Sequence, residues 1–123
     1  MAALEVMIVD DDVASRDLLS GMLRTQFQAR ISTMADGVEA MRECRDKSFS
    51  IIFLDIEMPG TDGFEVLKVI KSIHPNQFVA MVSGHSSLDY VKKAMGMGAS
   101  GFIVKPFSTS RVQAVIDKYM SEK

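Results

Sequence analysis

The sequence predicts an α/β domain in which a five-stranded parallel sheet is covered by helices on both faces. Short apolar runs of strand length alternate along the chain with longer stretches in which apolar residues recur at helical spacing. The short runs are continuously apolar, which is typical of strands buried on both faces of a parallel sheet. Each run is followed by a helical pattern, so we expect short connections and right-handed crossovers.

Five runs are predicted to be strands, because each is rich in β-branched or aromatic residues. The second run has a weaker pattern than the other four. In chain order the runs are Val6–Val9, Ala29–Thr33, Ile51–Leu54, Phe78–Val82 and Phe102–Val104.

Five helices are predicted from apolar stripes spaced three or four residues apart. The pairs Asp36 with Glu39 and Ser86 with Asp89 resemble capping boxes at two helix starts. Pro75 and Gly98 are placed to end the third and fourth helices. In order, the stripes are Leu18, Leu19, Met22 and Leu23; Val38, Met41 and Cys44; Phe64, Leu67, Ile70 and Ile73; Leu88, Val91, Ala94 and Met95; and Val112, Val115, Ile116 and Tyr119.

Length and charge exclude several classes of protein. A chain of 123 residues fits one compact domain, so we assign residues 1–123 to a single domain. The formal net charge of −2 lacks the basic excess of a nucleic-acid binder, and no apolar run approaches the ~20 residues that span a membrane. Cys44 is the single cysteine, which rules out an intrachain disulfide and fits a reducing compartment.

Charged and polar residues follow the predicted strands. Asp10 and Asp11 follow the first strand, Asp55 the third, Ser83 the fourth and Lys105 the fifth. The carboxyl ends of parallel strands meet at one edge of the sheet, so these side chains should lie together. Clustered carboxylates repel one another, and Mg²⁺ with oxygen ligands is the natural compensation. Mg²⁺, a lysine, a hydroxyl and an attacking carboxylate together suit phosphoryl transfer.

Three sequence runs carry a resemblance to a known family. They are Met7–Asp12, Leu54–Gly63 and Val104–Phe107, and they resemble those of response-regulator receiver domains of two-component signalling, including chemotaxis regulators. The resemblance extends from about Leu4 to Tyr119. It implies a flavodoxin-like doubly wound sheet with strand order 2-1-3-4-5. It also implies a phosphorelay switch that accepts a phosphoryl group and changes its partner-binding surface.

The resemblance implies roles for the acidic residues. Asp55 matches the phosphoacceptor of the family. Asp11 matches the carboxylate that binds Mg²⁺ directly, and Asp10 matches its neighbour, which usually acts through water. Glu57 stands where a backbone carbonyl completes the metal shell.

The resemblance also implies roles for the remaining site residues. Ser83 matches the hydroxyl that moves onto the phosphoryl group, and Lys105 matches the lysine that pairs with that group. Pro106 is expected after a cis peptide bond. Phe102 matches the switch aromatic that turns inward, although it stands where tyrosine is frequent, so its two states would differ by packing alone.

Glu57 and His85 lie two residues beyond Asp55 and Ser83. In the family these positions tend to face the phosphoryl group and tune its hydrolysis. The alternative interpretation is two exposed side chains with no role, and the residue types favour neither interpretation.

The resemblance implies partners as well. These are a histidine kinase or phosphotransfer protein in the cytoplasm, with Mg²⁺ as cofactor and no direct contact with nucleic acid or membrane. The surface of the fourth helix, fifth strand and fifth helix, roughly Leu88 to Lys118, would act on a downstream protein or a fused output domain. The chain would be a switch that assists its own phosphorylation and dephosphorylation, not an enzyme with a separate substrate.

Other interpretations stay open. The chain could be a receiver module cut from a larger multidomain regulator or hybrid kinase. It could be a phosphatase of the haloacid-dehalogenase type, with Asp10 as nucleophile and Asp12 as acid/base. A flavin-binding relative is disfavoured by the three acids after the first strand, where a phosphate needs donors. A receiver-like scaffold that no longer accepts phosphate is the remaining possibility.

Overall fold

The structure, a computed structural model, describes residues 3–85 and 87–122. Each strand and helix predicted from the sequence is present, together with two additional short strands. The strands are β1 (Leu4–Val9), β2 (Ala29–Met34), β3 (Ile51–Asp55), β4 (Glu57–Met58), β5 (Thr61–Asp62), β6 (Phe78–Ser83) and β7 (Gly101–Val104). The helices are α1 (Val13–Gln26), α2 (Gly37–Asp46), α3 (Gly63–Ile73), α4 (Leu88–Gly96) and α5 (Thr109–Ser121).

The long strands form one parallel sheet in the spatial order β2-β1-β3-β6-β7. Numbering only these five strands along the chain gives the order 2-1-3-4-5, so the expected doubly wound sheet is confirmed. The register places Asp55 beside Val82 and Ser83 beside Val104. The strands therefore end at one shared edge, the carboxyl edge, and begin at the opposite one, the amino edge.

Helices bury both faces of this sheet. All residues of the two central strands, β3 and β6, are buried. Alternate residues of a strand point to opposite faces, so the strands contribute to two apolar clusters. One cluster contains residues of α2, α3 and α4, and the other contains residues of α1 and α5. Each large apolar side chain buried there contributes roughly 1.5–3 kcal/mol, and this packing fixes the positions of the strand ends.

Side-chain caps set the starts of the helices. Asp12 caps α1, and Asp36 caps α2 by accepting the N–H of Glu39, as its capping box predicts. The cap of α4 is Ser87, whereas the predicted cap Ser86 lies outside the described residues. The aspartate caps satisfy donors that the first helical turn leaves unpaired.

The helices end close to the predicted signals. α3 ends at Ile73, two residues before Pro75. Gly98 follows α4 with φ +95°, a left-handed conformation that a side chain would disfavour. In the part of the chain that the structure describes, no helix has the length and apolar character needed to cross a membrane.

Four residues of the predicted apolar stripes do not face the core. Their exposed fractions range from 43% to 64%, which corrects the prediction for these positions. The helical spacing groups residues over a wider arc than the sheet covers, so those at the margin of a stripe remain in solvent. The four residues are Leu18, Val38, Leu88 and Met95.

A two-stranded hairpin between β3 and α3 is absent from the predicted elements. β4 and β5 pair antiparallel through Glu57 with Asp62 and Met58 with Thr61. Between them lie Pro59 and Gly60, and the φ of +73° at the glycine is that of the second central residue of a type II turn. The hairpin directs the chain away from the carboxyl edge and into α3.

The two tyrosines lie at opposite edges of the sheet. Tyr90, in the first turn of α4, stacks edge-on against Phe64 and tilted against His85, with centroid distances of 5.5 Å in both cases. Tyr119, near the end of α5, stacks edge-on at 5.5 Å against Phe78, the first residue of β6. Aromatic pairs therefore cover the core at both the carboxyl and the amino edge of the sheet.

Candidate functional site

Four strand ends bring charged and polar side chains together at the carboxyl edge. Asp10 follows β1, Asp55 ends β3, Ser83 ends β6 and Lys105 follows β7. The Nζ atom of Lys105 lies 3.0 Å from Oδ2 of Asp10 and 3.2 Å from Oδ2 of Asp55. Both aspartates are buried, so one ammonium group joins two carboxylates that are largely removed from water.

The second oxygen of each buried carboxylate is held by a backbone N–H two residues further along the chain. The N–H of Asp12 donates to Oδ1 of Asp10 at 2.9 Å. The N–H of Glu57 donates to Oδ1 of Asp55 at 3.1 Å. These local turns orient both side chains so that their Oδ2 atoms face Lys105.

Asp11 completes an acidic cluster with Asp10 and Asp55. One oxygen from each of the three carboxylates lies within 4.8 Å of the others. Asp11 is exposed while its two partners are buried, so the cluster opens towards solvent. Carboxylate oxygens with room for water are the ligands that Mg²⁺ prefers, so the donor set fits this cation.

The electrostatics of Asp55 differ from those of an exposed aspartate. Burial and, second to it, the negative charge of Asp10 raise the pKa of Asp55 to about 7, although Lys105 opposes both effects. Near neutral pH, the carboxyl group is therefore poised between its protonated and charged forms until a further cation arrives.

Lys105 is held in place from two sides. Burial alone would lower the pKa of its ammonium, but hydrogen bonds and charges from Asp10 and Asp55 outweigh burial and raise that pKa. The backbone N–H of Lys105 donates to the carbonyl of Ser83 at 2.8 Å, and its peptide bond to Pro106 is cis. The lysine therefore stays charged and is tied through its backbone to the end of β6.

The hydroxyl of Ser83 makes two hydrogen bonds. It donates to Oε2 of Glu57 at 2.7 Å and accepts the N–H of His85 at 2.9 Å. The other oxygen of Glu57, Oε1, accepts the N–H of Gly84 at 3.1 Å. Ser83 is fully buried, whereas Glu57 and His85 are exposed, so the Glu57 carboxylate lies at the solvent-facing side of the hydroxyl.

Phe102 lies in β7, outside this charged cluster. It is half-buried and packs against the apolar cluster on the side of α2, α3 and α4. Together with Val91 of α4 and Val115 of α5, it lines a cavity of about 390 Å³. The aromatic ring therefore has space beside it on the surface formed by α4, β7 and α5.

Asp12 has a structural role. Its side chain caps α1 by accepting the N–H of Ala14 at 3.2 Å and the hydroxyl of Ser15 at 2.9 Å. The hydrogen bonds from Ser15 and Ala14 lower the pKa of Asp12. A carboxylate engaged in this way is poorly suited to donate a proton, which disfavours the phosphatase in which Asp12 is the acid/base.

Two residues outside the sequence predictions contribute to the site. Arg16 donates from Nη1 to the backbone carbonyl of Asp10 at 2.7 Å. Gly63 leaves no room for a side chain, because a Cβ atom there would lie 2.5 Å from the carbonyl oxygen of Asp55. The signal for Gly63 was the Asp62-Gly63 pair, which sequence reasoning explains as a turn. Arg16 gives no distinct signal in the sequence.

Comparison with known proteins gives the same assignment along nearly the whole chain. The family model for the response regulator receiver domain matches residues 6–117. The nitrogen assimilation regulatory protein NtrX of Azorhizobium caulinodans is 36% identical over 119 residues, which cover 94% of this chain and 26% of the relative. The chain thus spans about a quarter of the length of the curated relatives that it matches.

Solved structures agree with the fold. NtrX from Brucella abortus superposes with a TM-score of 0.89 at 33% identity, over 98% of this chain and 28% of the other. The chemotaxis protein CheY4 of Vibrio cholerae superposes with a TM-score of 0.87 at 28% identity, over 96% of this chain and 99% of the other. The chain belongs to the family of response regulator receiver domains, which are signalling switches.

Proposed function

We propose that residues 1–123 form one receiver domain in which Asp55 accepts a phosphoryl group from a histidine kinase or phosphotransfer protein. The observation that carries the proposal is the contact of Lys105 with both Asp10 and Asp55 beside a three-carboxylate cluster. A fixed cation and a cation-binding cluster around one buried carboxylate suit the neutralisation of phosphoryl oxygens.

The transfer step forms one bond and breaks another. A carboxylate oxygen of Asp55 attacks phosphorus in line, and the phosphorus–nitrogen bond of a phosphohistidine breaks. The electron pair of that bond leaves with the imidazole, which takes up a proton. Water later attacks the phosphorus of the acyl phosphate and releases inorganic phosphate, which regenerates Asp55. The chain thereby assists its own phosphorylation and dephosphorylation.

Asp10, Asp11, Asp55 and the backbone carbonyl of Glu57 would hold Mg²⁺. When bound, the cation neutralises charge that develops on the phosphoryl oxygens. It would also keep Asp55 deprotonated, because a neighbouring positive charge favours the carboxylate over the acid. Asp11 is exposed, which leaves room for water ligands and for the incoming phosphoryl donor.

Ser83, Lys105 and Phe102 would convert the new charge into a change of surface. An acyl phosphate adds a charge of about −1.5 to −2 and three acceptor oxygens. Ser83 and Lys105 would bind those oxygens. This role is supported by their positions, because Ser83 ends β6 and Lys105 follows β7, the two strands that lie beyond β3 in the sheet. Their movement would shift the loops after β6 and β7 and allow Phe102 to repack inward.

The surface formed by α4, β7 and α5, roughly Leu88 to Lys118, is the proposed output surface. Exposed Leu88 and Met95 and the cavity beside Phe102 support this assignment. The partner would be a downstream protein or an output domain in the same polypeptide, not nucleic acid or membrane. The cytoplasm is the proposed location, as is usual for regulators of this family.

Phosphorylation by a small donor tests the proposal. Incubation with acetyl phosphate and Mg²⁺, followed by a phosphate-affinity gel, should give a shifted band for the wild type. Asp55→Asn should lose the band, because the amide cannot form an acyl phosphate. Asp17→Asn, a matched change at an exposed acid of α1, should keep it. A chelator should remove the band from the wild type.

One result would contradict the assignment of Asp55. Loss of the band in Asp10→Ala, with retention in Asp55→Ala, would make Asp10 the nucleophile and revive the phosphatase. A wild type that stays unmodified under all conditions would instead indicate a receiver-like scaffold that no longer accepts phosphate.

A further inference from the structure

Glu57 presents an internal anion to the end of β6. Its Oε2 accepts the hydroxyl proton of Ser83 at 2.7 Å, and its Oε1 accepts the N–H of Gly84 at 3.1 Å. Both carboxylate oxygens are therefore engaged by consecutive residues, the last of β6 and the first of the loop that follows it. Hydrogen bonds to an ionised acceptor are about twice as strong as those between neutral groups, so this contact holds the loop in place.

The contact uses the donor capacity of Ser83 completely. A hydroxyl has one proton, and here that proton points to Glu57 while the oxygen accepts the N–H of His85. Ser83 is fully buried, so water does not offer it an alternative partner. A phosphoryl oxygen on Asp55 can receive this hydrogen bond only after the Glu57 carboxylate has released it.

We propose that Glu57 is a phosphoryl-mimicking latch. In the unphosphorylated protein, its carboxylate occupies the position in which Ser83 would bind a phosphoryl oxygen, and phosphorylation expels it. The inference rests on the proposed function, because Ser83 must be the residue that binds the phosphoryl group. Repulsion between the carboxylate and the acyl phosphate, with its added charge of about −1.5 to −2, supplies the driving force for the release.

An alternative place for the released side chain lies next to the site. A cavity of about 420 Å³ opens beside Glu57 and is also lined by Tyr90 and Lys93 of α4. The Nζ atom of Lys93 lies 4.3 Å from the centroid of the Phe64 ring, at the wall of this cavity. Glu57 would turn from Ser83 towards the Lys93 ammonium. This movement would couple the charge on Asp55 to the surface of α4.

Beryllofluoride tests the latch, because with Mg²⁺ it imitates a phosphoryl group without a covalent step. Calorimetric titration of the whole chain should show about tenfold tighter binding to Glu57→Ala and Glu57→Gln than to the wild type, since one charged hydrogen bond no longer competes. Both variants keep the backbone carbonyl of Glu57. Glu65→Gln, an exposed acid in the first turn of α3, should bind as the wild type does.

Binding measurements at high salt distinguish a competing contact of Glu57 from general electrostatic repulsion. At about 0.5 M NaCl, long-range repulsion is screened, whereas a competing contact persists. The gain in beryllofluoride affinity of the Glu57 variants should therefore remain. A gain that disappears in salt would overturn the latch. The amide resonance of Gly84 should also move upfield in Glu57→Ala before any ligand is added, because its acceptor is gone.

The outcomes distinguish this inference from the proposed function. Binding to the wild type with equal or weaker binding to both Glu57 variants would reject the latch alone. No binding to any form would reject the proposed function, and the latch with it.

A double-mutant cycle tests the destination of the released carboxylate. Lys93→Ala should weaken beryllofluoride binding about threefold when Glu57 is present and should have no effect in the Glu57→Ala background. An equal effect in both backgrounds would exclude Lys93 as the partner of the released side chain. The latch would then consist of the contact between Glu57 and Ser83 alone.

Discussion

The two edges of the sheet both bury polar side chains, but they satisfy them in opposite ways. At the amino edge, the neutral amide of Gln77 accepts the N–H of Phe49 at 2.9 Å and donates to the carbonyl of Phe49 at 2.8 Å. At the carboxyl edge, Asp10 and Asp55 share the ammonium of Lys105. Gln77 is as deeply buried as the two aspartates, so the difference lies in charge and not in depth.

The difference separates a structural polar group from a reactive one. An amide that matches a backbone N–H and C=O has its hydrogen bonds satisfied at every pH. Two buried carboxylates around one cation leave excess negative charge, and the pKa of Asp55 rises to about 7 through burial first and the charge of Asp10 second. Such a shifted pKa, caused by burial and a like charge, is typical of functional sites.

The largest expected effect is at the amino edge. Gln77→Ala removes the side chain that pairs with both the buried N–H and the buried C=O of Phe49, so we expect the free energy of unfolding to fall by about 2–4 kcal/mol. Urea unfolding followed by circular dichroism measures it. Gln113→Ala, which removes a hydrogen bond to Asp117 on the surface of α5, is the matched control and should cost less than about 1 kcal/mol. Equal losses would show that burial of the Gln77 network contributes nothing.

At the carboxyl edge, we expect a substitution to raise the free energy of unfolding instead of lowering it. An acid whose pKa is higher in the folded protein than in the unfolded chain binds its proton more tightly when folded. Its contribution to stability is therefore present below about pH 4 and is lost as pH rises through the folded pKa of about 7. Asp55→Asn removes this loss. At about pH 8 with a chelator, we expect the variant to be about 2 kcal/mol more stable than the wild type.

The comparison between the wild type and Asp55→Asn must depend on pH and Mg²⁺. The advantage of the variant should shrink near pH 4.5, where Asp55 is protonated in the folded wild type. It should also shrink when Mg²⁺ replaces the chelator, because the cation binds and stabilises the folded wild type. If the difference in stability between the variant and the wild type is the same at all pH values and in Mg²⁺, the negative charge of Asp55 does not destabilise the folded protein.

The smallest effect is expected for an exposed ion pair at the amino edge. Arg30 Nη1 lies 3.3 Å from Oε1 of Glu5, but 77% of the arginine side chain is exposed. Arg30→Ala should therefore change the free energy of unfolding by less than about 0.5 kcal/mol, again by urea unfolding. A loss above about 1 kcal/mol would show that this ion pair stabilises the sheet more than exposed ion pairs usually do.

The fold was predictable because its signals are local. Four apolar runs and a weaker run at Ala29–Thr33 predicted the five strands. Asp36 marked a helix start, and Pro75 and Gly98 marked helix ends, that the structure contains. Strand order came from the resemblance, since periodicity does not specify which strands pair. The β4–β5 hairpin was missed because each strand has two residues, which is too short to give an alternating pattern.

The site was predictable in its membership and not in its contacts. A parallel sheet brings its strand ends together, so the proximity of Asp10, Asp55 and Lys105 follows from the fold. The direction of an exposed side chain does not, and the sequence left Glu57 between a tuning role and no role. Its contact with Ser83 depends on rotamers and on the course of the loop after β6, which sequence patterns do not determine.

The placement of the two tyrosines gives the protein an optical property. The chain has no tryptophan, so its near-ultraviolet fluorescence comes from Tyr90 and Tyr119 alone. In a Tyr119→Phe background, the remaining emission arises from a ring stacked against Phe64 and His85, close to the carboxyl edge. In a Tyr90→Phe background, it arises from the amino edge instead. The protein thus carries two separable intrinsic probes, and each edge can be monitored by light without an added label.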